Sequence, residues 1–195
     1  MNVETLKKAC QEYRRLEGRA SFYDVALEIA DDFPLQASII ILAVWNTARF
    51  RFVTSDSQNL IDLQKAIEES KPLFESVKEK DFRTVNFDEI ENTVKRIYSM
   101  LSKVLGVEYT GASKVMHLLN RNLFVMWDKD TREEYGYHIA DEDDYFGFQK
   151  KMQEKFRGIE WSMPKKTFAK AIDEYNQVNI AIPKREQRKK QRLRR

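Results

Sequence analysis

Apolar residues recur three and four positions apart along almost the whole chain, and little interrupts them: six glycines and four prolines are spread over 195 residues. Strand-rich folds need a tight turn every few residues, and Gly and Pro are what such turns use. A chain this poor in both is directed toward long helices joined by short loops. Val3, Leu6, Cys10, Tyr13 and Leu16 share one stripe of a helix that ends at Gly18. Ser21 with Asp24 opens a second helix reaching about Asp32, and Pro34 suits the first turn of a third. The run Ser38-Ile-Ile-Ile-Leu-Ala-Val-Trp45 has the β-branched content of a buried strand. Its pattern continues through Ala48 and Phe52, longer than a strand lasts, so we expect a central buried helix to about Arg51.

Further along, Asp56 or Ser57 caps a helix carrying Leu60, Leu63 and Ile67, and Pro72 is expected to restart it. Asp81–Val85 reads as a loop, and Asn86 with Glu89 as a capping box. Ile90, Val94, Ile97, Met100, Leu101 and Leu105 form the face of a helix stopping at Gly106. A short apolar helix opening at Thr110–Ser113 follows, then one from about Lys129 to Tyr135 closed by Gly136. Asp141–Asp144 opens a helix with Phe148, Met152 and Phe156, stopping at Gly158, and Pro164 begins the last, with Phe168, Ile172 and Tyr175. The fold class is therefore all-α: a compact bundle of seven to nine helices. Residues 1–183 form one domain or two intimately packed helical halves, and residues 184–195 form a flexible, disordered basic tail.

At 42% hydrophobic and 12% aromatic, the chain can build a packed core, which excludes global disorder. Cys10 is the single cysteine, so an intramolecular disulfide and a cysteine-ligated metal cluster are excluded, and a buried structural thiol is expected. Glu4, Lys7 and Lys8 interrupt any leader-like apolar run, and the longest apolar stretch, Ile39–Trp45, is far short of the roughly 20 residues that span a bilayer. We expect a soluble, cytoplasmic protein with no membrane partner. Two histidines, His117 and His138, are too few for a metal site, and His117 reads as a core-edge residue. The acids of Asp141–Asp144 suit a helix N-terminus better than a cation. No metal or cofactor is expected, since nucleotide-loop, nucleophile-elbow and zinc-helix motifs are missing.

Chemistry concentrates between Thr110 and Asp128. Thr110, Gly111, Ala112 and Ser113 place small residues at an expected helix start, where free amides favour a phosphate, with Lys114 in the first turn. An ordinary N-cap beside a solvated lysine explains the same residues. The apolar run Leu123–Trp127 then leads to Asp128 at the edge of a core, either as a working carboxylate or as the cap of the next helix. Trp45 reads as core, and Trp127 as the indole lining a pocket. Arg49 and Arg51 flank Phe50 near the same cleft.

The pattern Leu105-Gly-Val, then Gly111-Ala-Ser-Lys114, then Leu123-Phe-Val-Met-Trp-Asp-Lys-Asp-Thr-Arg-Glu-Glu-Tyr-Gly136 resembles the core of the helix-hairpin-helix DNA glycosylase superfamily, over about residues 35–140. The resemblance implies a hairpin contacting a DNA phosphate and a pocket that receives a flipped base. It makes Asp128 the catalytic acid and Lys114 the Schiff-base lysine of the members with lyase activity. The implied function is base excision from duplex DNA in repair, with or without lyase activity. The alternative is a non-catalytic helical module binding nucleic acid or a protein.

The net charge of +3 is unevenly spread: residues 184–195 carry +7, leaving −4 for residues 1–183. Lys184, Arg185, Arg188, Lys189 and Lys190 suit a nucleic-acid backbone, bound without regard to sequence. The same run would also serve as a solubilising terminus.

Overall fold

A computed structural model describes residues 1–18 and 20–193. Among them the chain is helical, without strands. The segments are α1 (Val3–Leu16), α2 (Ala20–Ile29), α3 (Pro34–Trp45), α4 (Thr47–Ser55), α5 (Ser57–Ser76), a 3-10 turn (Phe87–Ile90), α6 (Glu91–Ser102), α7 (Glu108–Leu119), α8 (Lys129–Glu134), α9 (Glu142–Lys155), α10 (Phe168–Asn176), a π segment (Gln177–Ala181) and α11 (Ile182–Leu193). Several starts are dictated locally. Asn2, Asp56, Asp128, Asp141 and Thr167 each accept a backbone N–H from the first turn of α1, α5, α8, α9 and α10. Gly136 and Gly158, both at positive φ, follow α8 and α9.

The number of α-helical segments exceeds seven to nine because Asn46 divides the expected central helix into α3 and α4, and because the expected tail forms α11. Asn46 uses its side chain elsewhere: its Nδ2 donates to the carbonyls of Gly106 and Val107 at 3.0 Å each. That clamps the short turn between α6 and α7 onto the α3–α4 corner. Gly106 is required there. Its φ is +89°, and a Cβ would stand 2.7 Å from Val53 Cγ2.

Three expectations fail on helix boundaries. Pro72 lies inside the continuous α5 rather than at a restart. Pro164 lies in a turn, and α10 begins only after the Thr167 cap. The segment expected as a disordered tail continues as α11 through Leu193, while Arg194 and Arg195 lie outside the described residues. Pro183 opposes a continuing helix, because its ring clashes with the carbonyl four residues back and it lacks an N–H. The π segment immediately before it changes that local ladder, and the helical run passes from Phe168 to Leu193 without a break.

The main core joins α1 and α3 to α10 around Phe82, Phe87, Tyr98, Phe124, Trp127, Tyr145 and Phe148. α6 packs on α5, α7 and α9, α1 on α10, and α2 on α3. No described helix is long and apolar enough to cross a membrane. Cys10 is buried, as expected, and burial first, then Glu174, pushes its thiol up to about 12.

Candidate active site

α1, the α3–α4 corner, α7, α8 and the α10–α11 run surround a cavity of about 390 Å³. Lys114 and Asp128 both line it, with Trp45, Tyr13, Asp173 and Gln177. The two residues singled out in the sequence therefore share one cavity.

Asp128 sits half-buried where the apolar run Leu123–Trp127 emerges from the core. It is also a helix cap: Oδ1 accepts from Thr131 N at 2.8 Å. Its other oxygen, Oδ2, accepts from Gln177 Nε2 at 3.1 Å. The cap and cavity readings thus coexist in one side chain, because a carboxylate has acceptor capacity for both. Lys114 is 9% exposed, and its Nζ donates to Trp45 O at the end of α3.

The phosphate-binding turn expected at Thr110–Ser113 is displaced. α7 begins at Glu108, so these residues lie within the helix, and Gly111, Ala112 and Ser113 are buried. The Gly111 amide donates to Val107 O, and the Ser113 hydroxyl donates to Thr110 O and Trp127 O. The small residues serve close packing: a Cβ on Gly111 would stand 2.8 Å from Asn46 Nδ2 and 2.9 Å from Leu42 Cδ2. Thr110 alone of the four lines the cavity.

The tryptophans exchange roles. Trp127 is 1% exposed, with Nε1 donating to Tyr109 O and its ring packed on Tyr98, Tyr145 and Phe148. Trp45 lines the cavity, stacks on Tyr23 at 5.5 Å, and has a buried Nε1 with no acceptor among the described residues. Arg49 pairs with Glu108 at 3.2 Å, and Arg51 lies over Phe52.

Beneath the cavity lies a charged cluster that sequence reasoning missed. Lys170, Asp173 and Glu174 are each under 5% exposed. Lys170 Nζ lies 2.6 Å from Asp173 Oδ2 and within 5.1 Å of the ring centroids of Tyr13, Tyr23 and Trp45. Burial opposes the Lys170 charge most strongly, yet Asp173, Tyr13 and Glu174 together hold its pKa well above the ordinary value. Burial raises Asp173, against the pull of Lys170. The detectable signal was Lys170-x-x-Asp173-Glu174, an i,i+3/i+4 ion-pair spacing, which usually marks a solvated face.

His117 adjoins this cluster and is fully buried, beyond the core edge expected for it. Its Nδ1 contacts Phe124 O at 2.6 Å and its Nε2 contacts the Tyr23 hydroxyl at 2.7 Å. A carbonyl only accepts, so Nδ1 carries the proton and Nε2 receives one from Tyr23. Burial foremost lowers the imidazole pKa to about 3.

On the outer side, α8 holds α11. Asp130 accepts from Arg188 at 2.6 and 2.7 Å in a bidentate pair, and Glu134 pairs with Lys184 at 2.7 Å. Arg185 lines the cavity and donates to Gln177 Oε1. Lys189 and Lys190 are exposed. Among the described residues no group of three or more His, Cys, Asp or Glu could hold a metal ion. No protein-family model matches the chain, nor does any curated protein or solved structure.

Proposed function

We propose that this cavity receives a base flipped out of duplex DNA and that Asp128 assists its excision, in the manner of a monofunctional base-excision glycosylase. The observation that carries the reading is the meeting of Asp128 and Lys114 in one cavity beside the half-buried Trp45. The indole contributes an aromatic wall to the cavity, as a pocket for a base requires. As the N-glycosidic bond breaks, its electron pair leaves with the base and positive charge grows on the sugar. The Asp128 carboxylate stabilises that charge, and a water then bonds the anomeric carbon while releasing a proton to Asp128. Hydrolysis is preferred over lyase chemistry because Lys114 already donates to Trp45 O. Attack by its amine would require release of that contact. Lys189 and Lys190 on α11 supply phosphate contacts.

The test is excision on labelled duplexes carrying deaminated, oxidised or alkylated bases, with and without borohydride, for the wild type and Asp128→Asn. Base release by the wild type and loss in the variant, at unchanged duplex retention, is the expected result. A borohydride-trapped adduct would shift the chemistry to an amine such as Lys114. Retention without release from any duplex would replace the enzyme with a non-catalytic nucleic-acid-binding module.

A further inference from the structure

Gln177 stands where α10 passes into the π segment and forms part of the cavity wall. Its Nε2 donates to Asp128 Oδ2 at 3.1 Å, and its Oε1 accepts from Arg185 Nη2 at 2.9 Å. A guanidinium donates only, so the amide oxygen must face Arg185 and the amide nitrogen must face Asp128. The partners' chemistry leaves a single orientation.

The backbone explains how two residues of one helical run converge. Residues eight apart in an uninterrupted α-helix lie about 80° from each other around the axis. A π turn absorbs one extra residue, which reduces the offset between positions 177 and 185 to about 20°. Gln177 and Arg185 therefore share a face, and that face is the one against α8.

We infer that Gln177 positions Asp128, its amide locked by Arg185, so that the carboxylate is fixed through both oxygens before any substrate arrives. A carboxylate held only by its own cap retains rotation about its terminal torsion, whereas a second bond on the other oxygen fixes its plane. The part played in excision rests on the function proposed above; the hold on Asp128 does not.

The test uses the full chain with Gln177→Glu and Gln177→Leu. Glutamate matches glutamine in size and can still pair with Arg185, but it has no donor for Asp128. Two readouts are compared: hydrogen exchange of the Thr131 amide, which reports the carboxylate's grip on its cap, and single-turnover base release beside duplex retention on the labelled panel. In both variants we expect Thr131 exchange to quicken about tenfold, and base release to fall about tenfold to a hundredfold with retention within about twofold. Gln177→Leu, which adds no charge beside Asp128, should unfold near the wild-type temperature, which separates positioning from a general loss of structure. Unchanged Thr131 exchange in both variants overturns the inference. Faster exchange with undiminished release overturns its catalytic part. Faster exchange in a protein whose wild type releases no base upholds the positioning and overturns the glycosylase reading instead.

Discussion

The helical run from Phe168 to Leu193 begins by burying almost every residue of α10 and ends in α11 by burying none. Both ends carry lysine or arginine against aspartate at 2.6 Å. At the inner end, the Lys170 and Asp173 side chains are 4% and 6% exposed and aromatic rings exclude water; at the outer end, the Arg188 side chain is 49% exposed and its Asp130 partner 12%. The same separation therefore carries different consequences. In the interior, removing one partner strands a charge, whereas at the outer end water enters from the side that Arg188 exposes.

The sharpest way to break that comparison is Lys170→Met, which leaves Asp173 and Glu174 buried without their common cation. We expect a loss of about 3–5 kcal/mol in chemical denaturation. A loss near that of a surface substitution would mean that the inner end is wet.

Acid gives the next largest effect. His117 takes up a proton at 6.5 when unfolded but only near 3 when folded, so the unfolded state binds more protons as the pH falls. The stability that this lowered value confers is complete above 6.5 and declines below it, by about 2–3 kcal/mol between pH 6.5 and 4.5. Denaturation midpoints across that window should show the decline in the wild type, and His117→Gln should lack this component.

Arg188→Ala sharpens the outer end, with an expected cost of at most about 1 kcal/mol that shrinks further in high salt. Arg188 holds the Asp130 carboxyl below its ordinary 3.8. The stability from this pair is present above 3.8 and disappears as pH falls through the lower folded value, well below the window in which His117 acts. A cost several times larger, or one insensitive to salt, would show that α11 is held by more than exposed charge.

Legibility in the sequence followed the range of the interactions. Caps and glycine stops act within a turn or two, so Asp56, Asp141, Gly136 and Gly158 could be read directly. The Asp128 cap was equally visible, and so was the buried approach to it. What failed depended on distant partners. Gly111 resembled a turn residue until Asn46 and Leu42 were seen to press against it. Trp127 and Trp45 have similar neighbours in sequence, and only the packing of α9 on one and the opening beside the other distinguish them. α10 showed an apolar stripe at Phe168 and Ile172, but its polar face is enclosed by α1 and the rings of Tyr13, Tyr23 and Trp45.

The π segment also sets the phase of α11 in a way that composition does not reveal. Deleting any one residue between Gln177 and Ala181 would let the run close up as plain α-helix, preserving every charge. Everything beyond the deletion would keep its angular position, because the π turn already absorbs that residue; closing the π turn with every residue retained would instead turn it by about 100° about the axis. In that second case Arg185 would swing off Gln177 and Arg188 off Asp130, breaking contacts whose residues all remain in the chain. The spacing between Asp173 and Arg188 acts as a phase, and a homologue one residue shorter there would present the same face of the basic helix to the cavity without a π turn.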